Sequence, residues 1–158
     1  MKIIEADPLN PKHVADIQHG AACFADHTDR PDIMPDVHTK AGRANLDQAI
    51  ERLITIPGVT IFLAYENREC VGGTGVLITP YIFDYSRTAA DELFWWADDQ
   101  ASPRVGMALL RELRDHIKRQ SASFCIFHHL TNSPKTVQKI YKRMGLKPLQ
   151  STWAGVMP

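Results

Sequence analysis

The chain has 158 residues, enough for one domain with a modest buried core and too few to divide between two. Eighteen basic residues balance eighteen acidic ones, and charged residues make up 23% of the chain, an ordinary globular composition. That balance argues against a nucleic-acid partner, since phosphate binding demands a basic excess.

Cys23, Cys70 and Cys125 are widely spaced, which argues against a disulfide framework. Cys125 lies in an apolar run, where a thiol behaves as a small hydrophobe. The opening Met-Lys-Ile-Ile-Glu-Ala-Asp-Pro lacks the apolar stretch of a signal peptide. No segment approaches the roughly 20 apolar residues that span a bilayer. A cytoplasmic protein without a membrane partner is therefore expected.

In chain order, Lys2 to Ala6 is a short strand, and Asn10-Pro11 supplies an N-cap followed by proline at the first helical position. Val14, Ile17, Ala21 and Phe24 then share one face of a helix of about four turns. The segment from His27 to Gly42 has no clear period and reads as a loop. Asp26, Asp29, Asp32 and Asp36 make it acidic, which suits either a solvated loop or attraction of a cationic amine. Leu46, Ala49, Ile50, Leu53 and Ile54 mark a second amphipathic helix, stopped by Pro57-Gly58.

Past Val59 the period changes. Val59–Tyr65 and Val71–Thr79 form a hairpin about a turn at 66–69. A connection from Pro80 to Asp91 carries Tyr81, Phe83 and Tyr85, and leads to the bulky strand Leu93-Phe94-Trp95-Trp96. If that strand alternates regularly, Glu92, Phe94 and Trp96 share one face. Phe94 and Trp95 read as core, whereas the three aromatics of the connection are equally placed to cover a site.

Gly106–Gln120 is a helix with Met107, Leu110, Leu113 and Ile117 on its buried face. Phe124–Phe127 is a buried strand, Ser133-Pro134 opens a helix running to Met144, and Gly145 closes it. Thr152–Met157 is a last strand. The order of elements predicts a mixed α/β layer protein.

The chemistry lies in two segments. In the first, a bulky strand passes through a polar loop into Gly106 at the mouth of an amphipathic helix, whose first-turn amides have no intrahelical partners and favour an anion. Ala101-Ser102-Pro103-Arg104-Val105-Gly106 resembles the Arg/Gln-x-x-Gly-x-Gly/Ala cofactor motif of the GNAT (GCN5-related) N-acetyltransferase family. Only the last glycine matches: Ala101 stands where the family has Arg or Gln, and Arg104 where it has the middle glycine. In the second segment, Tyr141 and Gly145 fall on the tyrosine and glycine of the family's Ala-x-x-x-Tyr-x-x-x-Gly-Phe. Pro134 occupies the place of the family's asparagine, with Asn132 two positions earlier.

The resemblance spans almost the whole chain and implies a mainly antiparallel central sheet flanked by helices. It also implies acetyl-CoA as cosubstrate, transfer of its acetyl group to a primary amine of a small molecule or protein by direct attack in a ternary complex, and room for a homodimer. By the same resemblance, Trp96, Ala97, Ser102, Arg104, Val105, Gly106, Met107, Asn132 and Tyr141 hold the cosubstrate, the amides from Ser102 to Met107 cradling its pyrophosphate. Trp96 supplies an oxyanion amide where the strand bulges.

An amine attacks only when neutral, yet a lysine ammonium has a pKa of about 10.4, so a base must take its proton. Glu92 stands where the family places a glutamate base, and a carboxyl among aromatic groups is raised by desolvation. Tyr141 is the acid for the leaving thiolate. His128 and His129 follow a strand on opposite faces, either as an exposed strand end or in contact with substrate. No His, Cys or carboxylate set has zinc spacing. The departures in the phosphate loop leave a second reading open, a catalytically weak or inactive CoA-binding or protein-interaction module. The basic residues Lys135, Lys139, Lys142 and Arg143 point more weakly to nucleic acid, against the neutral total.

Overall fold

The computed structural model describes residues 1–28, 33–130 and 133–149. The expected last strand at 152–157 and the side chains of Asp29, Asp32 and Asn132 lie outside these residues. Five strands form one sheet in chain order, β1 (Lys2–Glu5), β2 (Val59–Glu66), β3 (Glu69–Tyr81), β4 (Asp84–Ala97) and β5 (Phe124–Ile126). Neighbours are antiparallel except β4 and β5, which run parallel.

Helices α1 (Pro11–Asp26) and α2 (Lys40–Leu53) cover one face and α3 (Val105–Arg119) the other. The short α4 (Lys135–Arg143) follows β5. This is a mixed α/β fold with a mainly antiparallel sheet, as expected from the sequence. Among the described residues no helix is long and apolar enough to cross a membrane.

Local chemistry sets the elements. The Asn10 side chain accepts the Lys12 amide at the start of α1, and Thr39 accepts that of Gly42 at the start of α2. Asn67 and Arg68, at φ 51° and 72°, form the two-residue turn between β2 and β3, the left-handed pair that matches strand twist. That turn holds Glu66 opposite Glu69. The expected connection from Pro80 to Asp91 is instead strand: β3 and β4 stay paired as far as Tyr81 and Asp84, turning at Ile82-Phe83. Most of this outer hairpin is exposed, so it shows no buried-face periodicity.

Two cores lie on the two faces. One joins Ile17, Ala21 and Ala25 of α1 and Leu46 and Ile50 of α2 to Ile61, Leu63, Phe94 and Trp96. The other joins Val105, Leu109, Leu113 and Ile117 of α3 to Phe62, Ala64, Val76 and Ala90. A register shift in β4 opposite Gly75 and Val76 leaves Leu93 as an extra residue between Glu92 and Phe94. Before it, Ala90 faces α3; after it, Phe94 and Trp96 face α1 and α2, and Trp95 takes the α3 side.

Trp96 fills the space between sheet and α1. A Cβ on Gly20 would lie 2.0 Å from its ring, and one on Gly73 would lie 2.1 Å away. Both positions need the absent side chain. Trp96→Ala therefore opens a cavity on which α1 and β3 both depend, and should cost about 3–5 kcal/mol in a urea unfolding titration.

Candidate active site

Strands β4 and β5 pair only through Ala89–Phe124, Ala90–Cys125 and Asp91–Ile126. From Glu92 to Ala97 that edge of β4 runs on without β5, which has ended at Ile126. Glu92 sits where the two part, and α4 brings Tyr141 to it from the other end of the chain.

Glu92 is 4% exposed. Its Oε2 accepts the His128 amide at 2.9 Å and lies 3.2 Å from the Tyr141 hydroxyl, which donates to the His128 carbonyl at 2.7 Å. Glu92 Oε1 is buried with no hydrogen-bond partner among the described residues. Burial pushes the carboxyl from its ordinary 4.5 up to about 7, against the opposing pull of the His128 amide and the Tyr141 hydroxyl.

The Tyr141 hydroxyl thus has two acceptors within reach, the His128 carbonyl and Glu92 Oε2, and its single proton serves the nearer carbonyl. Burial, with the charge of Glu92 adding to it, raises the phenol above its usual range, so Tyr141 stays protonated at neutral pH. The rings of Phe127 and His129 flank it, with centroids 5.5 and 6.5 Å away.

Two further residues belong to this cluster and were not assigned from sequence. His128 Nε2 lies 2.6 Å from Asp91 Oδ1, and both side chains are about half exposed. His128 thus offers its backbone to Glu92 and Tyr141 and its imidazole to solvent, oriented by Asp91. The signal was the parallel pairing of Asp91 with Ile126, which brings His128 alongside. His129 instead meets Gln138, with Nε2 atoms 3.0 Å apart.

Three expectations need correction. The bulge of β4 falls at Leu93, and Trp96 pairs in register with Gly73, so the ladder is not interrupted where an oxyanion amide was expected. The bulge also breaks the alternation, and Glu92 does not share a face with Phe94 and Trp96. Phe83 and Tyr85, 81% and 79% exposed, lie at the far hairpin tip, roughly 20–30 Å along β4 from Glu92, and do not cover the site.

The loop entering α3 also differs from the expected cradle. Pro103 has no amide hydrogen, the Ser102 amide donates to Glu66 Oε2 at 3.3 Å, and the Val105 amide donates to the Ser102 carbonyl at 2.9 Å. The Arg104 amide reaches Ser102 Oγ at 3.4 Å. Gly106 and Met107 keep first-turn amides without a partner among the described residues. Gly106 has a packing reason as well, since a Cβ there would stand 2.9 Å from the Trp95 ring. Asp26 is paired with His38 Nε2 at 2.7 Å, and Asp36 accepts the His38 amide, so these two acids serve their own loop.

The sequence matches no protein-family model and no curated protein. Solved structures superimpose along nearly its whole length. A GCN5-related N-acetyltransferase from Ralstonia eutropha JMP134 is 12% identical, with 98% of this chain and 97% of that chain covered and a TM-score of 0.74. A ribosomal-protein-alanine N-acetyltransferase from Brucella melitensis biovar Abortus 2308 is 16% identical over 99% and 100%, with a TM-score of 0.69. A transcriptional regulator from Bacillus halodurans C-125 is 14% identical over 99% and 99%, with a TM-score of 0.72. At these identities the likeness shows the fold: the chain has the fold of the GNAT acetyltransferases.

The raised Glu92 has a measurable consequence. Between 4.5 and about 7 the folded chain holds a proton that the unfolded chain has lost. This contribution to stability is complete below 4.5 and disappears as the pH rises through about 7. Glu92→Gln should flatten that decline, by on the order of 3 kcal/mol between pH 5 and pH 8 in urea titrations.

Proposed function

We propose that the chain is an N-acetyltransferase that moves an acetyl group from acetyl-CoA to a primary amine of a small molecule or protein, by direct attack in a ternary complex. The observation that carries this reading is the Glu92–Tyr141 pair at the parting of β4 and β5, where a carboxyl near pKa 7 touches a protonated phenol. The fold supports it, and no nucleic acid or membrane enters it.

Acetyl-CoA supplies an activated thioester. On the protein side, the edge of β4 from Glu92 through Trp96 and Ala97 offers backbone groups that β5 does not use, suited to the amides of an extended pantetheine arm. The Gly106 and Met107 amides, the positive end of α3 and the exposed guanidinium of Arg104 suit phosphates. The set fits, more sparsely than the six-residue cradle expected from sequence. In this assignment Val105 and Ser102 shape the loop instead of offering free amides.

Glu92 acts as the proton acceptor for the attacking ammonium, through Oε1, which has no hydrogen-bond partner among the described residues. Tyr141 would turn its hydroxyl proton from the His128 carbonyl to the leaving sulfur as a hydrogen-bond donor. Its raised pKa makes full proton transfer to a thiolate uphill, so it stabilises developing charge first and surrenders the proton last. Above about pH 7 Glu92 is ionised and competent as a base, so activity should rise through that region.

One observation favours the second reading, a weak or inactive CoA-binding or interaction module: Glu66 already occupies the Ser102 amide, and Pro103 lacks one. Thiol release from acetyl-CoA with a panel of amines and peptides separates the two. We expect turnover whose kcat/KM rises with an apparent pKa near 7, a limb lost in Glu92→Gln. We also expect kcat to fall by roughly 10²–10³-fold in Tyr141→Phe. Calorimetric binding of acetyl-CoA without thiol release from any amine would establish the module instead.

A further inference from the structure

Helix α1 carries His19 and Cys23 one turn apart, and His19 Nε2 lies 3.7 Å from the Cys23 sulfur. The carboxylate of Asp98, just beyond β4, completes the group. Ligand atoms of the three residues all lie within 4.8 Å of one another. Bond lengths of about 2.3 Å to sulfur and about 2.0–2.1 Å to nitrogen put two ligands of a tetrahedral zinc about 3.6 Å apart, close to the separation seen.

The scaffold beneath these side chains is fixed. Gly20, between the two helical ligands, is pressed against the Trp96 ring, and the Asp98 amide donates to the Val71 carbonyl at 3.0 Å. His19 is exposed while Cys23 and Asp98 are half-buried, so the group opens to solvent on one side and leaves a position for water.

We infer that His19, Cys23 and Asp98 form a binding site for a borderline-soft divalent cation of the zinc type. Thiolate and imidazole favour such an ion over magnesium or calcium, and the carboxylate supplies the third ligand. The bound ion ties α1 to the segment that leads into α3, at a place separate from the Glu92–Tyr141 cluster.

The test is a titration of the full-length, chelator-treated protein with Co²⁺. A thiolate-to-cobalt charge-transfer band should appear in the near ultraviolet with tetrahedral bands in the visible, and Zn²⁺ should bleach them. Cys23→Ser should abolish the charge-transfer band, and Cys70→Ser should keep it. His19→Ala, at an exposed position, should weaken Co²⁺ binding by about tenfold or more. Absence of the charge-transfer band in the unaltered protein, its survival in Cys23→Ser, or unchanged affinity in His19→Ala overturns the assignment.

Discussion

The extra residue at Leu93 sets the side of the sheet to which each later side chain of β4 turns. Upstream of it, Ala90 packs with α3 and Glu92 meets Tyr141. Downstream, Phe94 and Trp96 enter the core under α1 and α2. A regular strand would put Glu92 on the face of those two rings, away from α4, and the carboxyl–phenol contact would not form. Every step in the proposed chemistry depends on that change of face. So does the seat of Trp96 on Gly20 and Gly73, which fixes α1 against the sheet.

Glu92 then shows how opposing influences resolve at one group. Burial opposes its charge, while the His128 amide, the Tyr141 hydroxyl and the His128 charge favour it. Desolvation dominates, and the carboxyl settles near neutral pH instead of in the ordinary acidic range. A surface glutamate would be a permanently ionised and weak base, and one deeper and without partners would stay protonated throughout. The placement of His128 at the end of β5 keeps it between these extremes, because its backbone supplies the amide to Glu92 and the carbonyl to Tyr141.

Features that depend on nearby residues were legible in the sequence. The Asn10-Pro11 start of α1, the turn at 66–69 and the apolar stripe of α3 rest on local chemistry and recur in the structure. Glu92 and Tyr141 were each singled out on separate grounds, and the fold brings them together. The facing of β4 was not legible, since period-two reasoning presumes that no bulge intervenes. The outer β3–β4 hairpin resembled a loop because little of it is buried. Asp91 with His128, and His19 and Cys23 with Asp98, are separated by too much chain for spacing to reveal them.

The loop into α3 is where departure from the familiar motif has its clearest physical meaning. Glu66 on the Ser102 amide is an anion supplied by the protein itself, held there by the left-handed Asn67-Arg68 turn. Its contact is long and only partly buried, so it contributes little to stability. Pro103 is different, because a missing donor cannot be restored by rearrangement. In the proposed function the amides of Gly106 and Met107 and the guanidinium of Arg104 would compensate. Under the proposed function, phosphate recognition would therefore rest more on a flexible side-chain charge than on a preformed backbone nest, and cosubstrate affinity would be correspondingly more sensitive to salt.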